Sequence, residues 1–225
     1  MNNYKVVLFD LDGTLTDPKI GITKSVQYAL EKMGIVESDL DKLEPFIGPP
    51  LHESFAEFYS FDEEQTKLAI EFYRERYKDK GMFENVLYQG IPQLLEELKK
   101  QQKVLIVATS KLTVFSEKIL QHFNIDQYFD LIVGSNLDGT RASKTEIIQH
   151  ILNEMKDYER QDFIMIGDRK YDIIGANNTG IDSIGVTYGY GSMDELRQLN
   201  PTCIVHAVEE LKTKLLMVEE NENLG

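Results

Sequence analysis

Cysteine is almost missing from this chain: Cys203 stands alone among 225 residues, which excludes an intrachain disulfide and fits a reducing compartment. Long apolar runs are missing too. None approaches the roughly 20 residues of a membrane-spanning helix, so no membrane role is expected. The first apolar stretch, residues 6–9, is too short for a signal peptide and runs straight into acids, so the cytoplasm is the expected location. Basic residues are in the minority, 24 Lys and Arg against 38 Asp and Glu, for a formal net charge of −14. A nucleic-acid polymer calls for a basic patch and is not an expected partner. A small anionic substrate stays open, because a few local cations and a metal override the global field. Among the four histidines, His122, His150 and His206 fall at no ligand spacing. Nothing in the sequence specifies an oligomeric state.

What is present suits a folded enzyme-sized unit. At 225 residues, 42% hydrophobic and 28% charged, the chain can form one large domain or a domain with an insert. Only the polar tail at 219–223 reads as disordered. Apolar, β-branched runs recur at residues 4–9, 104–108, 129–133, 163–166, 183–186 and 203–205. Helix-period segments lie between most of them, at 91–101, 114–123, 144–155 and 171–178. That alternation predicts an α/β fold: a Rossmann-like parallel sheet covered by helices on both faces. One region breaks it. From 17 to 85 there is no good strand, only amphipathic helical sequence with Ile22, Val26, Ala29, Leu30 and Met33 at helical spacing. Leu68, Ile70, Phe72, Tyr73 and Tyr77 form a second, aromatic stripe, expected to be core of the bundle. The expected organisation is a sheet-containing core from residues 1–16 and 86–225, with an inserted α-helical domain at 17–85.

Four strand ends carry chemistry. The first run stops at Asp10, and Asp12 follows at i+2, the spacing that puts two side chains on one face of an extended chain. Two acids there can hold a divalent cation or divide nucleophile and acid/base roles; a strand ending in an Asp-Gly turn at Gly13 is the plainer alternative. Thr109-Ser110-Lys111 follows the second run and precedes a helix, where a hydroxyl and exposed amides suit a phosphate oxygen or a simple N-cap. Arg141-Ala142-Ser143-Lys144 opens another helix, where the macrodipole disfavours a cation, so Lys144 is a candidate for facing a ligand. Gly167-Asp168 ends a further run, and Asp172 falls in the first turn of a helix if one begins near Arg169. Ligands of parallel sheets bind beyond the carboxyl ends of the strands, so these groups are expected to converge.

In this order the signals resemble the four motifs of the haloacid dehalogenase superfamily: Asp10-Leu11-Asp12-Gly13-Thr14, Thr109-Ser110, Lys144, and Gly167-Asp168 with Asp172. The insertion resembles the helical cap of its phosphoglycolate phosphatase-like branch. Gly48-Pro49-Pro50, Gly167-Asp168-Arg169 and Tyr188-Gly189-Tyr190-Gly191 are similar to members called phosphoglycolate phosphatases or 5′-nucleotidases. The resemblance implies a Mg2+-dependent phosphatase acting on a small phosphate ester, phosphoglycolate-like or a nucleoside 5′-monophosphate. It implies Asp10 as nucleophile, forming an aspartyl-phosphate, Asp12 as general acid and then base, and Lys144 as the cation that offsets their charge. Asp10, Asp12 (through its main-chain carbonyl), Asp168 and Asp172 would form the metal site, with Thr109 and Ser110 on the phosphate.

Two departures stand out. Thr145 follows the lysine where many relatives have proline, which leaves Arg141 as a second or substitute cation toward substrate, and Arg169 stands where Ser or Thr is frequent. Gly48 and His52 are the cap's candidates for substrate contact, although a cap-packing histidine accounts for His52 as well. Lys24 invites comparison with the Schiff-base lysine of the phosphonate-cleaving branch but is expected at the surface. Two other functions share these motifs: a sugar phosphomutase of the β-phosphoglucomutase type, and a non-catalytic phosphate-metabolite sensor.

Overall fold

The computed structural model of the chain describes residues 4–216; the polar tail at 219–223 lies outside them. Strand β1 (Val6–Phe9) is buried at every residue because both faces of its sheet are covered. Val7 and Phe9 enter one apolar cluster, Val6 and Leu8 the other, the period-two alternation of an extended chain. Five further strands join it in parallel: β4 (Val104–Leu112), β5 (Leu131–Ser135), β6 (Phe163–Gly167), β7 (Asp182–Val186) and β8 (Cys203–Val205). Every apolar run expected to be a strand is one, and β4 extends four residues beyond the run that announces it. Helices α6 (Lys144–Glu154) and α7 (Lys170–Thr179) cover one face with Ile147, Ile148, Ile151 and Ala176. Helices α4 (Ile91–Lys100), α5 (Thr113–His122) and α9 (Val208–Leu216) cover the other with Leu94, Leu98, Ile119 and Leu211. Each isoleucine or leucine among them, fully buried, is worth about 1.5–3 kcal/mol, which is why near-continuous apolar strands belong in a two-sided sheet. The short α8 (Met193–Arg197) precedes β8. Among the described residues no helix is long and apolar enough to cross a membrane.

The strand order is β5-β4-β1-β6-β7-β8. The chain runs outward from β1 to β4 and β5, then crosses back to β6 and runs outward again. That reversal leaves β1 between β4 and β6, with Phe9 level with Val107 and Ile166. The crevice beyond such a reversal is where open α/β sheets bind ligands.

Residues between β1 and α4 form the helical region: α1 (Lys19–Lys32), α2 (Leu51–Tyr59) and α3 (Glu63–Tyr77). Helix α1 packs on α3 and buries Ile22, Val26, Ala29 and Leu30 of the stripe the spacing predicts, while Met33, just past its end, is half-buried. Helix α3 opens on a capping box. Asp62 Oδ1 accepts from Gln65 N at 2.9 Å, and Gln65 Oε1 accepts from Asp62 N at 3.1 Å. The aromatic stripe splits: Tyr73 and Tyr77 are buried, whereas Leu68 is exposed. Where the chain enters and leaves this region, β2 (Thr16–Asp17) pairs antiparallel with β3 (Val86–Leu87). Two residues per strand carry no hydrophobic period, so the pattern does not announce this ladder.

Candidate active site

Asp10 follows the last residue of β1, and its N–H donates to Ile166 O at 2.9 Å in β6. The same register places Asp168, just past β6, beside it. Asp172 comes from the first turn of α7, where its Oδ2 accepts from Arg169 N at 3.1 Å. Carboxylate oxygens of Asp10, Asp168 and Asp172 lie within 4.8 Å of one another, and all three residues are buried. The chain can pass this close only because Gly13 lacks a side chain. At its φ of +82°, a Cβ would sit 2.2 Å from Asp168 Oδ2.

Lys144 meets this cluster from the start of α6. Ser143 caps the helix and Glu146 accepts back from Ser143 N at 3.0 Å, which fixes the first turn and aims Lys144 inward. Its Nζ lies 2.7 Å from Asp10 Oδ1 and 2.6 Å from Asp172 Oδ1, and donates to Ala108 O at 2.7 Å. Burial works against an ammonium here, yet Asp10 and Asp172 outweigh it and raise its pKa. Burial also pushes the Asp172 carboxyl up to about 6, against the pull of Lys144. Asp168 is pushed well above the usual carboxylate range by burial, then by Asp10 and Asp172.

The donor set suits a hard divalent cation. Asp168 Oδ2 accepts from Tyr190 N at 2.7 Å, while its buried Oδ1 has no hydrogen-bond partner among the described residues. Three carboxylates face one lysine, and all the side-chain donors are oxygens, the preference of Mg2+. The Asp12 side chain is not part of this trio, so its expected share in a metal site rests on its main-chain carbonyl.

The end of β4 corrects one expectation. Thr109 and Ser110 do not open a helix; they lie inside the strand, and α5 starts only at Thr113. Pairing with β5 shifts between Ala108 and Leu112: four residues of β4 advance against two of β5. Such a bulge re-aims side chains, and here it turns Thr109, Ser110 and Lys111 into the cavity. Lys111, to which sequence reasoning assigns no role, pairs with Asp12 Oδ2 at 2.7 Å. Burial raises the Asp12 carboxyl, and Lys111 opposes that rise.

Asp10, Asp12, Thr109, Ser110, Lys111 and Lys144 floor a cavity of about 190 Å³. Its roof is the helical region: Gly48, Pro49, Pro50, Leu51 and His52, then Ile70, Tyr73, Arg74 and Tyr77 of α3. The aromatic stripe is thus cavity wall as well as bundle core. Gly48 holds a φ of +105° against the Arg169 side chain, whose Nη1 donates to Ile47 O at 2.6 Å. The His52 side chain is 61% exposed at the rim. Arg141 is not brought to the site: its Nε donates to Gly134 O at 2.9 Å and its Nη2 to Asn136 Oδ1 at 3.1 Å, tying it into the loop between β5 and α6. Lys24 pairs at 3.6 Å with Glu84, away from the cavity.

Known proteins resemble this arrangement over nearly its whole length. A 5′-nucleotidase of Pseudomonas aeruginosa is 51% identical over 199 residues, 88% of this chain and 90% of that protein. Tyrosine-protein kinase PtkA of Mycobacterium tuberculosis is 37% identical over 213 residues, 94% of this chain and 72% of that one. The crystal structure of a predicted phosphatase from Clostridium acetobutylicum superposes with a TM-score of 0.92 at 52% identity, covering 96% of this chain and 99% of that one. The family model described as haloacid dehalogenase-like hydrolase matches residues 7–186. That span begins in β1 and ends with β7, taking in all four strand-end motifs and the inserted helices, and the chain belongs to the haloacid dehalogenase-like hydrolases.

Proposed function

We propose that this chain is a cytoplasmic, Mg2+-dependent phosphatase that hydrolyses a small phosphate monoester through an aspartyl-phosphate on Asp10. The observation that carries the reading is the meeting of Asp10, Asp168, Asp172 and Lys144 at one buried point, with Asp12 beside them under a roof. A carboxylate attacking an anionic phosphoryl group faces repulsion, and this floor is built to relieve it. Asp10 forms the new O–P bond as the bond to the leaving oxygen breaks, and Asp12 gives that oxygen its proton. Asp12, now a carboxylate, takes a proton from water as the water oxygen adds to phosphorus. The Asp10–phosphorus bond then breaks, releasing inorganic phosphate and restoring both acids. Mg2+ would be held by Asp10, Asp168, Asp172 and the Asp12 main-chain carbonyl, and would offset charge on the phosphoryl oxygens. Lys144 offsets charge on Asp10 and the phosphoryl group, while Thr109 and Ser110 hold another phosphate oxygen.

Residues 17–85 act as a cap over the core of 1–16 and 86–225, with the β2–β3 ladder as its hinge, and the roof selects the ester. A relative named 5′-nucleotidase and a roof rich in apolar and aromatic side chains favour a nucleoside 5′-monophosphate over a phosphoglycolate-like acid. The test is phosphate release with Mg2+ from p-nitrophenyl phosphate, then kcat/KM across nucleoside monophosphates, phosphoglycolate, sugar phosphates and pyrophosphate. Loss of activity on chelation and its return with Mg2+ is expected. Conversion of glucose 1-phosphate to glucose 6-phosphate without phosphate release would make the protein a mutase. Transfer from ATP to a tyrosine peptide without hydrolysis would make it a kinase.

A further inference from the structure

The cavity contains a second buried lysine, 33 positions before Lys144 in chain order but serving a different acid. Lys111 Nζ lies 2.7 Å from Asp12 Oδ2 and donates to the Tyr77 hydroxyl at 2.6 Å, with its ammonium 4.5 Å from the centre of the Tyr77 ring. Its side chain is only 8% exposed. Asp12 Oδ1, by contrast, is buried with no hydrogen-bond partner among the described residues. One oxygen of Asp12, a residue that lines the cavity, is therefore pinned and the other is left without a partner among the described residues. Tyr77 closes helix α3 of the roof, while Asp12 and Lys111 belong to the floor.

We propose that Lys111 is a positioning residue that orients Asp12 toward the leaving oxygen, and that Tyr77 couples this orientation to the seating of the roof. The proposal rests on Asp12 being the acid that protonates the leaving group. An ammonium has three hydrogens. With one directed at Asp12 and one at Tyr77, two of the three hydrogens of Lys111 are taken by the protein. Lys144 is likewise engaged by Asp10, Asp172 and Ala108. Each lysine thus holds one of the two acids of the first motif in its own place. With Tyr77 withdrawn, Lys111 loses one of its two anchors and Asp12 its fixed orientation, so proton donation is fully available only under a seated roof.

The test compares two esters of the same shape with Mg2+ present. Phenyl phosphate has a poor leaving group that needs a proton, whereas p-nitrophenolate departs without one. Lys111→Met is expected to lower kcat on phenyl phosphate by about 100-fold, roughly ten times more than on p-nitrophenyl phosphate, with KM changed less than about threefold. Tyr77→Phe keeps the ring and deletes only the hydroxyl. It should show the same bias at about tenfold on phenyl phosphate, and Lys111→Arg should recover part of the loss. Melting curves for each variant confirm a folded protein, and Tyr77→Phe carries the test should Lys111→Met fail to fold. Equal losses on both esters, or a rise in KM at unchanged kcat, would overturn the proposal while an ester-biased Asp12→Asn leaves the acid assignment standing. If Asp12→Asn itself shows no bias between the esters, the acid assignment falls and this inference falls with it.

Discussion

Asp10 and Lys144 reach the cavity from a strand end and a helix start of the sheet, and neither is more than 5% exposed. His52 and Gly48 reach it from the helical region, and the His52 side chain is 61% exposed at the rim. The floor is thus fixed by strand register and capping, with every charged group already paired or crowded by its neighbours. The roof is made of helix faces and a glycine-proline turn that touch the floor through a few side chains, chiefly Tyr77 on Lys111 and Arg169 on Ile47. A preorganised floor stabilises charge in the transition state, whereas a roof discriminates among leaving groups. Substitutions in the floor should therefore act on kcat, and those in the roof on KM and substrate choice, except at Tyr77, which reaches down to Lys111 of the floor.

The largest effect that would break this division is at Asp10. Asp10→Asn keeps the shape and removes the proposed nucleophile, so kcat on p-nitrophenyl phosphate should fall by at least about 10⁴-fold, the scale of losing a covalent nucleophile. Activity near that of the parent protein would remove Asp10 from the chemistry. Asp168→Asn separates activity from stability. Phosphate release should again collapse, but the metal-free protein should gain about 1 kcal/mol, a Tm rise of about 2–4 °C, because one of three crowded, buried carboxylates is neutralised. Magnesium should raise the Tm of the parent protein by mass action and leave that of Asp168→Asn nearly unmoved. A metal-free variant that melts below the parent would show that the acids are not in conflict.

The same division explains what the sequence makes visible. Asp10, Asp168 and Asp172 are legible because each ends an apolar strand or opens the helix after it, and register then brings strand ends together without further information. Lys144 is legible by its place at a helix start, but nothing in the sequence decides between it and Arg141. That choice depends on the loop between β5 and α6, where Gly134 O and Asn136 take the guanidinium. Lys111 and Tyr77 are 34 residues apart, and their contact needs both the bulge in β4 and the packing of α3 over the sheet, neither of which has a local pattern. The bulge also misleads about Thr109 and Ser110, since a hydroxyl pair before a helix reads as its N-terminus. Leu68 and Tyr77 belong to one expected stripe, yet only Tyr77 is buried, because at helical spacing the two fall on opposite faces of α3 and the packed face is that of Thr66, Ala69, Tyr73 and Tyr77.

A smaller effect sharpens the roof side. His52→Ala should leave kcat on p-nitrophenyl phosphate within about twofold and shift kcat/KM among natural esters by about three- to tenfold, the range of one modest contact in a specificity pocket. The measurement is the ranking of nucleoside monophosphates and phosphoglycolate by kcat/KM. A uniform fall in kcat across all of them would move His52 from the roof's function to the floor's.

The smallest expected effect concerns the residue that sequence reasoning offers as a stand-in for Lys144. Arg141 sits at a φ of +53°, a left-handed conformation uncommon for a side chain of this kind, and spends its guanidinium on Gly134 O and Asn136 Oδ1. A cation held by neutral acceptors in its own loop contributes to loop order rather than to phosphate charge. Arg141→Ala should therefore change kcat and KM by less than about twofold, since the hydrogen bonds lost are worth only about 1 kcal/mol each to local stability. Lys144→Ala, which strips Asp10 and Asp172 of their common counter-charge, should cost about 10²–10³-fold in kcat, the loss seen when one preorganised electrostatic contact is deleted. Comparable losses from the two variants would mean that the loop releases Arg141 toward the phosphate when substrate arrives, and that the floor is completed only by binding.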